Sequence, residues 1–218
     1  MARKLFYLLY PALSFVALIW IIFLFENALQ LDWGMNGVYP RHLSGLFGVL
    51  FMPLLHGSFE HIVSNTAPSL VLITAVFYWF PTRGKYIIGF IWIMGGFWLW
   101  IMGREVYHIG ASGIIYGMVF FFFVKAFLTA DRGIRAFAML QLFLYGSSLA
   151  GIFPLQNEAI SWEGHLCGAL AGATAAFYFR EKIILEKKEE PADEYTPPDF
   201  TSAEEVHRHY SEWKNRSN

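Results

Sequence analysis

Six long apolar runs alternate with shorter polar segments along this chain of 218 residues. A helix needs about 20 mostly apolar residues to cross the hydrocarbon core of a bilayer. The pattern therefore predicts six membrane-spanning helices, at residues 5–26, 60–80, 86–103, 112–130, 134–153 and 162–180. The fifth and sixth runs are rich in Gly and Ser, so their limits are the least sharply marked. The predicted fold class is an all-α membrane protein with a six-helix bundle.

Two stretches lie outside the predicted spans. Residues 27–58 form a long first loop, rich in Gly, Leu and Phe, which we expect to be structured and to lie partly in the membrane interface. From residue 186 the chain becomes charged and contains three prolines, which interrupt helices. The chain thus divides into a membrane domain at 1–185 and a tail at 186–218.

The tail contains one helix signal. Ser202 and Glu205 have capping-box spacing, which predicts a short helix over Glu204–Trp213. A mostly disordered tail is the alternative, because the composition from residue 186 onward is polar and charged.

Lys and Arg resist translocation and gather in the short cytoplasmic loops of membrane proteins. Only Arg41 and Arg104 lie on one side of the predicted spans. The other side carries Arg3, Lys4, Arg83, Lys85, Arg132, Arg135, Arg180, Lys182, Lys187 and Lys188. This asymmetry predicts that both termini are cytoplasmic.

Composition supports the membrane assignment and excludes one class of partner. Of all residues, 56% are hydrophobic and only 15% are charged, and the mean hydropathy is +0.42. The net charge of −1 leaves no basic stripe of the kind that binds nucleic acid. The single cysteine, Cys167, lies in the sixth span, so an intramolecular disulfide is excluded.

Polar clusters stand at the starts of the second, fourth and sixth predicted spans. They are His56, His61 and Asn65; Gly110-Ala111-Ser112-Gly113; and Gly164-His165. With a cytoplasmic N-terminus, every even-numbered span begins on the outer side, so the three clusters share one depth. Ionisable residues at such depth face a bundle interior or a water-filled cavity.

The cluster at the second span contains two residues on the predicted helix and one in the loop before it. His61 and Asn65 are four residues apart, so they lie on one helix face and both can donate hydrogen bonds from it. His56 precedes them in the loop, where we expect its ring to satisfy backbone carbonyls of the loop.

Ser112 begins the fourth span between small residues, so no neighbouring side chain covers its hydroxyl. The unpaired N–H groups and partial positive charge of a helix start favour a developing oxyanion there. Two structural interpretations stay open. Ser112 could be only an N-cap, and Gly113 with Gly117 could serve only close helix packing.

The sixth span offers a base for this serine. His165 is followed by Gly168 and Gly172, a strip that lets another helix approach closely. If that helix is the fourth span, His165 can reach Ser112. Neutral histidine can take the proton of a serine hydroxyl and return it to a leaving amine.

Together these motifs resemble the rhomboid intramembrane serine proteases. The motifs are His56-x4-His61-x3-Asn65, Gly110-Ala111-Ser112-Gly113 with Tyr116, and Gly164-His165-x2-Gly168-x3-Gly172. The resemblance covers about residues 45–180. It implies a six-span bundle and a Ser-His dyad that cleaves transmembrane segments of other proteins near the outer membrane surface.

By resemblance, Ser112 matches the family nucleophile and His165 its general base. His61 and Asn65 match the side chains that bind the oxyanion together with the Ser112 backbone N–H. No metal or cofactor is implied. The implied partners are substrate transmembrane segments and the lipid bilayer, for a multi-pass protein of a bacterial inner membrane.

The supporting residues also have counterparts in the family. Tyr116 matches an aromatic that packs on the base, Gly110 opens the nucleophile turn with Gly113 after it, and His56 matches a histidine that helps to hold the first loop. A Trp-Arg pair common in bacterial members is absent from Leu43–Leu55, so we expect different anchoring of this loop.

Two other functions remain as alternatives. The chain could be a binding protein of the same fold that escorts membrane proteins without cutting them. It could also be a metal-dependent enzyme or transporter that uses His56, His61 and His165, because imidazole is a common zinc ligand. Glu60, Glu105 and Glu163, near the outer surface, are expected to be solvated loop charges.

Overall fold

The computed structural model describes residues 2–154, 161–180 and 202–216. Its helices are α1 (Ala2–Ala28), α2 (Leu43–Leu46), α3 (Gly48–Phe51), α4 (Phe59–Trp79), α5 (Gly84–Met102), α6 (Ser112–Leu128), α7 (Arg132–Tyr145), α8 (Trp162–Tyr178) and α9 (Ala203–Arg216). Within these ranges the β-structure is limited to one isolated bridge, so the predicted all-α class is confirmed for the described part. The chain divides into two compact units, Met1–Ile183 and Ile184–Asn218.

Each predicted span coincides with a helix. Three of these helices are long and apolar enough to cross a bilayer, namely Leu8–Ala28 within α1, then α4 and α5. Helices α6, α7 and α8 are shorter, with 17, 14 and 17 residues. The fifth predicted span is wrong at its end, because α7 stops at Tyr145 and a 3-10 turn, Ser147–Ile152, follows. Gly and Ser are weak helix formers, which explains this early end.

Helix α6 is the centre of the bundle. Its side chains Ile114, Met118, Phe121 and Phe122 are buried in one core with residues of α4, α5 and α8. It packs most closely on α8, because a Cβ on Gly168 would overlap the carbonyl oxygen of Gly113. A Cβ on Gly172 would overlap the Gly117 carbonyl in the same way. The predicted approach of the fourth and sixth spans through their glycines is therefore confirmed.

The first loop is structured, as expected. It contains α2, α3 and a 3-10 turn at Met52–Leu54, and it exposes Leu43, Phe47 and Leu50. Its position in the membrane interface stays a prediction.

Backbone and side-chain contacts tie the first loop to the segment between α5 and α6. Val38 and His108 exchange backbone hydrogen bonds of 3.0 and 2.8 Å as an antiparallel bridge. The Arg41 guanidinium donates to the Gly103 carbonyl at 2.6 Å and pairs with Glu105 at 3.1 Å. The loop is thus tied to the segment between α5 and α6.

Side-chain caps define the starts of three helices, α4, α7 and α8. Ser58 accepts from the N–H of His61 at the start of α4, and Asp131 accepts from two N–H groups at the start of α7. Ser161 accepts from the N–H of Gly164 at the start of α8. Each cap satisfies an N–H group that the helix itself leaves unpaired.

The tail helix is confirmed, and α9 is longer than predicted. The N–H of Glu205 donates to the Ser202 hydroxyl at 3.3 Å, which is half of a capping box. The preceding segment, residues 181–201, lies outside the described residues.

Candidate active site

The structure brings Ser112 and His165 together. Ser112 is the first residue of α6 and His165 lies in the first turn of α8. Their Oγ and Nε2 atoms are 2.9 Å apart, within hydrogen-bond distance. Gly113 and Gly168, which allow the two helices to touch, directly adjoin this contact. The glycine packing therefore brings the hydroxyl within reach of the ring.

The second ring nitrogen of His165 identifies the tautomer. Nδ1 lies 3.0 Å from the carbonyl oxygen of Gly151, in the 3-10 turn after α7. A carbonyl only accepts, so Nδ1 carries the proton and Nε2 is free to accept from the Ser112 hydroxyl. A backbone carbonyl thus orients the ring, in the position that a carboxylate occupies in Ser-His-Asp enzymes.

Tyr116 fixes the plane of the same ring. It lies one turn after Ser112, and its ring stacks on His165 with centroids 4.2 Å apart and an angle of 9° between the planes. A stacked aromatic face also attracts a cation, so it favours an imidazolium at this position. The predicted contact between Tyr116 and His165 is confirmed.

A cavity of about 680 Å³ opens beside the pair. Ser112, His165, His61 and Asn65 all line it, and α7 contributes Tyr145. The three predicted polar clusters thus meet around one space that is large enough for several residues of a peptide chain.

His61 and Asn65 face the segment that leads into the nucleophile. A Cβ on Gly110 would lie against Nε2 of His61 and 3.8 Å from Nδ2 of Asn65. Gly110 also has a φ of +110°, which disfavours any residue with a Cβ. Nδ2 of Asn65 is buried without a partner among the described residues. A donor without a partner in a cavity wall suits a ligand oxygen.

His56 is buried behind this wall. Its ring centroid lies 5.0 Å from that of His61, and burial, followed by the nearby His61, lowers the pKa of His56 to about 4. Neither ring nitrogen of His56 makes a hydrogen bond of normal geometry in the described part of the chain. Of the expected contacts with loop carbonyls, a weak one with the Leu54 backbone remains, which partly opposes the lowering of the His56 pKa. His56 contacts the site through the His61 ring.

Glu163 is not a solvated loop charge. It is buried in the first turn of α8 and forms an ion pair with Arg104, at the end of α5. A carboxylate at this position is favoured by the positive end of the helix dipole. Glu60 and Glu105 are exposed, as expected.

His108 was not among the predicted site residues. Its Nδ1 lies 2.7 Å from the Ser161 hydroxyl and its Nε2 lies 3.0 Å from the Arg104 carbonyl. Burial lowers the pKa of this histidine, so the ring is neutral. A histidine in the short segment before the Gly110 turn was the available signal, and its partner lies 53 residues away.

The metal-dependent alternative finds no support in the geometry. Among the described residues, no group of three or more His, Cys, Asp or Glu side chains could hold a metal ion. Both ring nitrogens of His165 are engaged, by Ser112 and by Gly151.

The chain is similar in sequence to one protein family and to several individual proteins. The family model described as Rhomboid domain matches residues 43–182, a range that includes every cavity residue named above. Uncharacterized proteins of Mycobacterium tuberculosis and Mycobacterium leprae are 35% and 34% identical over 173 residues, which is 76% of this chain and 72% and 68% of theirs. A protein of Acanthamoeba polyphaga mimivirus that is named as a rhomboid protein is 26% identical over 134 residues, 59% of this chain and 72% of its own.

Proposed function

Because this chain belongs to the rhomboid family, we propose that it is an intramembrane serine endopeptidase that cleaves transmembrane segments of other proteins. The observation that carries the proposal is the 2.9 Å contact between Ser112 Oγ and His165 Nε2 inside the cavity. An escort protein of the same fold needs neither an oriented base nor an unpartnered donor beside it.

In the proposed reaction, His165 is the general base. Nε2 takes the hydroxyl proton as Ser112 Oγ attacks the scissile carbonyl carbon. The imidazolium then gives this proton to the leaving amine, and the acyl group stays on Ser112. A water molecule, deprotonated by the same nitrogen, hydrolyses the ester and restores the hydroxyl. Gly151 and Tyr116 keep the ring in place through both steps.

The charge that develops on the carbonyl oxygen requires donors. We assign this role to Asn65 Nδ2, to His61 and to the backbone N–H of Ser112. The buried Nδ2 group supports the assignment, because it has no partner among the described residues and Asn65 lines the cavity beside Ser112. The first N–H groups of α6 lie at the positive end of its dipole.

We propose that all six helices α1 and α4–α8 span the membrane, with both termini in the cytoplasm. The cavity would then open toward the outer side, where water can reach Ser112 while the helices exclude lipid. The positive-inside distribution of Lys and Arg supports this orientation.

Purified protein and a model transmembrane substrate test the proposal. We expect Ser112→Ala and His165→Ala to remove cleavage, while the exposed Ser44→Ala and His42→Ala act as matched controls that retain it. A chelator should have no effect. Cleavage by Ser112→Ala would reject the serine mechanism, and loss of activity with the chelator alone would favour a metal enzyme.

Labelling from either side of the membrane tests the orientation. Met35 is exposed in the first loop, and Ala130 is exposed between α6 and α7. In intact cells, a membrane-impermeant maleimide should label the Met35→Cys variant and not the Ala130→Cys variant. The opposite pattern would invert the proposed orientation. The native Cys167 is buried and contributes little background.

A further inference from the structure

Two straps join the segment before Ser112 to the segment before His165. In the first, His108 Nδ1 lies 2.7 Å from the Ser161 hydroxyl. In the second, the Arg104 guanidinium pairs with the buried Glu163 carboxylate, with one donor–acceptor distance of 3.3 Å. The residues of both straps precede, along the chain, the glycines through which α6 and α8 touch.

The hydrogen bonds of the first strap form a consistent set. The Arg104 carbonyl accepts from Nε2–H of His108, so Nδ1 is left to accept from the hydroxyl of Ser161. The oxygen of Ser161 still accepts from the N–H of Gly164 at 3.2 Å. Burial keeps His108 neutral, which this arrangement requires. Every polar atom of the strap thus has a partner.

The strap residues occupy equivalent positions relative to the catalytic pair. His108 is four residues before Ser112, and Ser161 is four residues before His165. The Ser161 carbonyl accepts from the N–H of His165 at 3.2 Å, so a shift of Ser161 moves the base directly. On the other side, His108 is fixed by its backbone bridge to Val38 in the first loop.

We propose that His108 and Ser161, supported by the Arg104–Glu163 ion pair, are positioning residues that set the distance between Ser112 Oγ and His165 Nε2. This inference rests on the proposed serine protease function. Among the described residues, a backbone carbonyl, that of Gly151, and not a carboxylate binds Nδ1 of His165. We therefore expect the first turn of α8 to need another constraint. A displacement of about 1 Å between reacting groups can cost about 100-fold in rate.

The experiment compares His108→Ala, His108→Asn, Ser161→Ala and Ser161→Thr with the wild type. Asn can replace the Nδ1 acceptor and Thr keeps the hydroxyl, so these two variants should rescue activity. Glu105→Gln is the matched control, because Glu105 lies in the same loop and pairs with Arg41 at the exposed surface. Readouts are kcat and KM for a transmembrane substrate, and hydrogen exchange of the amides of residues 161–168.

We expect His108→Ala to lower kcat about 10- to 100-fold with KM near the wild-type value, because the cavity walls remain. The first amides of α8 should exchange faster in this variant and not in Glu105→Gln. In the His108→Ala/Ser161→Ala double variant the losses should be less than additive, because both changes remove one bond.

Three kinetic outcomes would overturn the inference. These are an unchanged kcat in His108→Ala, an equal loss in Glu105→Gln, or a loss in His108→Asn as deep as in His108→Ala. Failure of the proposed function looks different, because Ser112→Ala would then cleave substrate or the wild type would not cleave it. Hydrogen exchange tests the positioning role even if the protein has no protease activity. Unchanged exchange of the amides of residues 161–168 in His108→Ala would reject that role.

Discussion

At the scale of single residues, Gly110 shows how a backbone conformation prepares this site. Its φ of +110° turns the chain into α6, and its N–H donates to the Met52 carbonyl at 2.8 Å. A side chain here would be strained and would also meet the His61 ring. The residue is therefore glycine for two independent reasons.

Gly110→Ala should inactivate the protein. The substitution costs about 1–3 kcal/mol of backbone strain and displaces His61 from the cavity wall. Turnover of a transmembrane substrate and thermal unfolding in detergent measure the two effects. Gly57→Ala is the control, because a Cβ there would meet only Cδ1 of Ile109, at 3.5 Å. Wild-type turnover in Gly110→Ala would contradict this account.

Asn65 should show a trade-off between stability and function. Because its Nδ2 is buried without a partner among the described residues, Asn65→Ala removes a group whose burial costs about 1–3 kcal/mol. We expect turnover to fall about 10- to 1000-fold, the scale for loss of one oxyanion donor. The unfolding temperature should fall little, because the loss of packing around the Asn65 side chain is offset by removal of the unpaired Nδ2 group. An unchanged turnover would remove Asn65 from the mechanism.

At the scale of helices, the packing of α6 on α8 carries the site. Gly168→Ala should destabilise the bundle by about 1–3 kcal/mol, because the new Cβ overlaps the Gly113 carbonyl. Gly89→Ala in α5 is a matched control. A Cβ there meets no atom within 4 Å, and Ala is favoured over Gly in a helix by about 0.5–1 kcal/mol. Thermal unfolding should therefore move in opposite directions, and a shift of the same sign in both variants would contradict this.

Helix α7 has the loosest attachment beside the cavity. It buries Ile134, Ala138 and Gln141 and exposes a wide apolar face that includes Phe143, 86% exposed. We propose that substrate enters sideways between α4 and α7. Ser64 of α4 and Tyr145 of α7 both line the cavity, so we would join a cysteine pair at these positions with a reducible bifunctional thiol reagent that spans the cavity.

Crosslinking the Ser64→Cys/Tyr145→Cys pair should block cleavage, and reduction should restore it. Each single cysteine variant, treated with the same reagent, controls for the substitutions themselves. Full activity of the crosslinked form would exclude entry between α4 and α7.

For the whole molecule, two buried neutral histidines link stability to pH. Burial lowers the pKa of His56, which faces His61, and of His108, which faces Arg104 and Glu163. Both histidines bind a proton more readily in the unfolded chain, near the ordinary pKa of 6.5. Stability is therefore complete above that value and falls as the pH drops below it.

Thermal unfolding in detergent at several values between about pH 7.5 and 4 measures this dependence. We expect the unfolding temperature to fall below about pH 6.5, and to fall less steeply in His56→Gln, whose folded state has no imidazole to protonate at this position. The exposed His42→Gln is the control. An identical slope in His56→Gln and the wild type would contradict the assignment.

The sequence by itself determined where α1 and α4–α8 lie, apart from the end of α7, and it indicated the family and the candidate residues. Apolar runs must form helices in lipid, because every backbone group needs an internal partner there. Fixed spacing placed His61 beside Asn65 on α4, and the glycines after His165 indicated a close helix neighbour.

Only the tertiary structure decided which groups complete the site. Three contacts join residues that are distant along the chain. They are the bond from His165 to the Gly151 carbonyl, the strap from His108 to Ser161 and the ion pair of Glu163 with Arg104. The sequence indicated that His56 contacts the loop backbone, and the fold adds a ring contact with His61 that no local pattern predicted. The physical reason is that hydrophobic periodicity fixes which face of a helix is buried. The partner of a buried polar group depends on helix ends and loops, whose mutual positions no local pattern specifies.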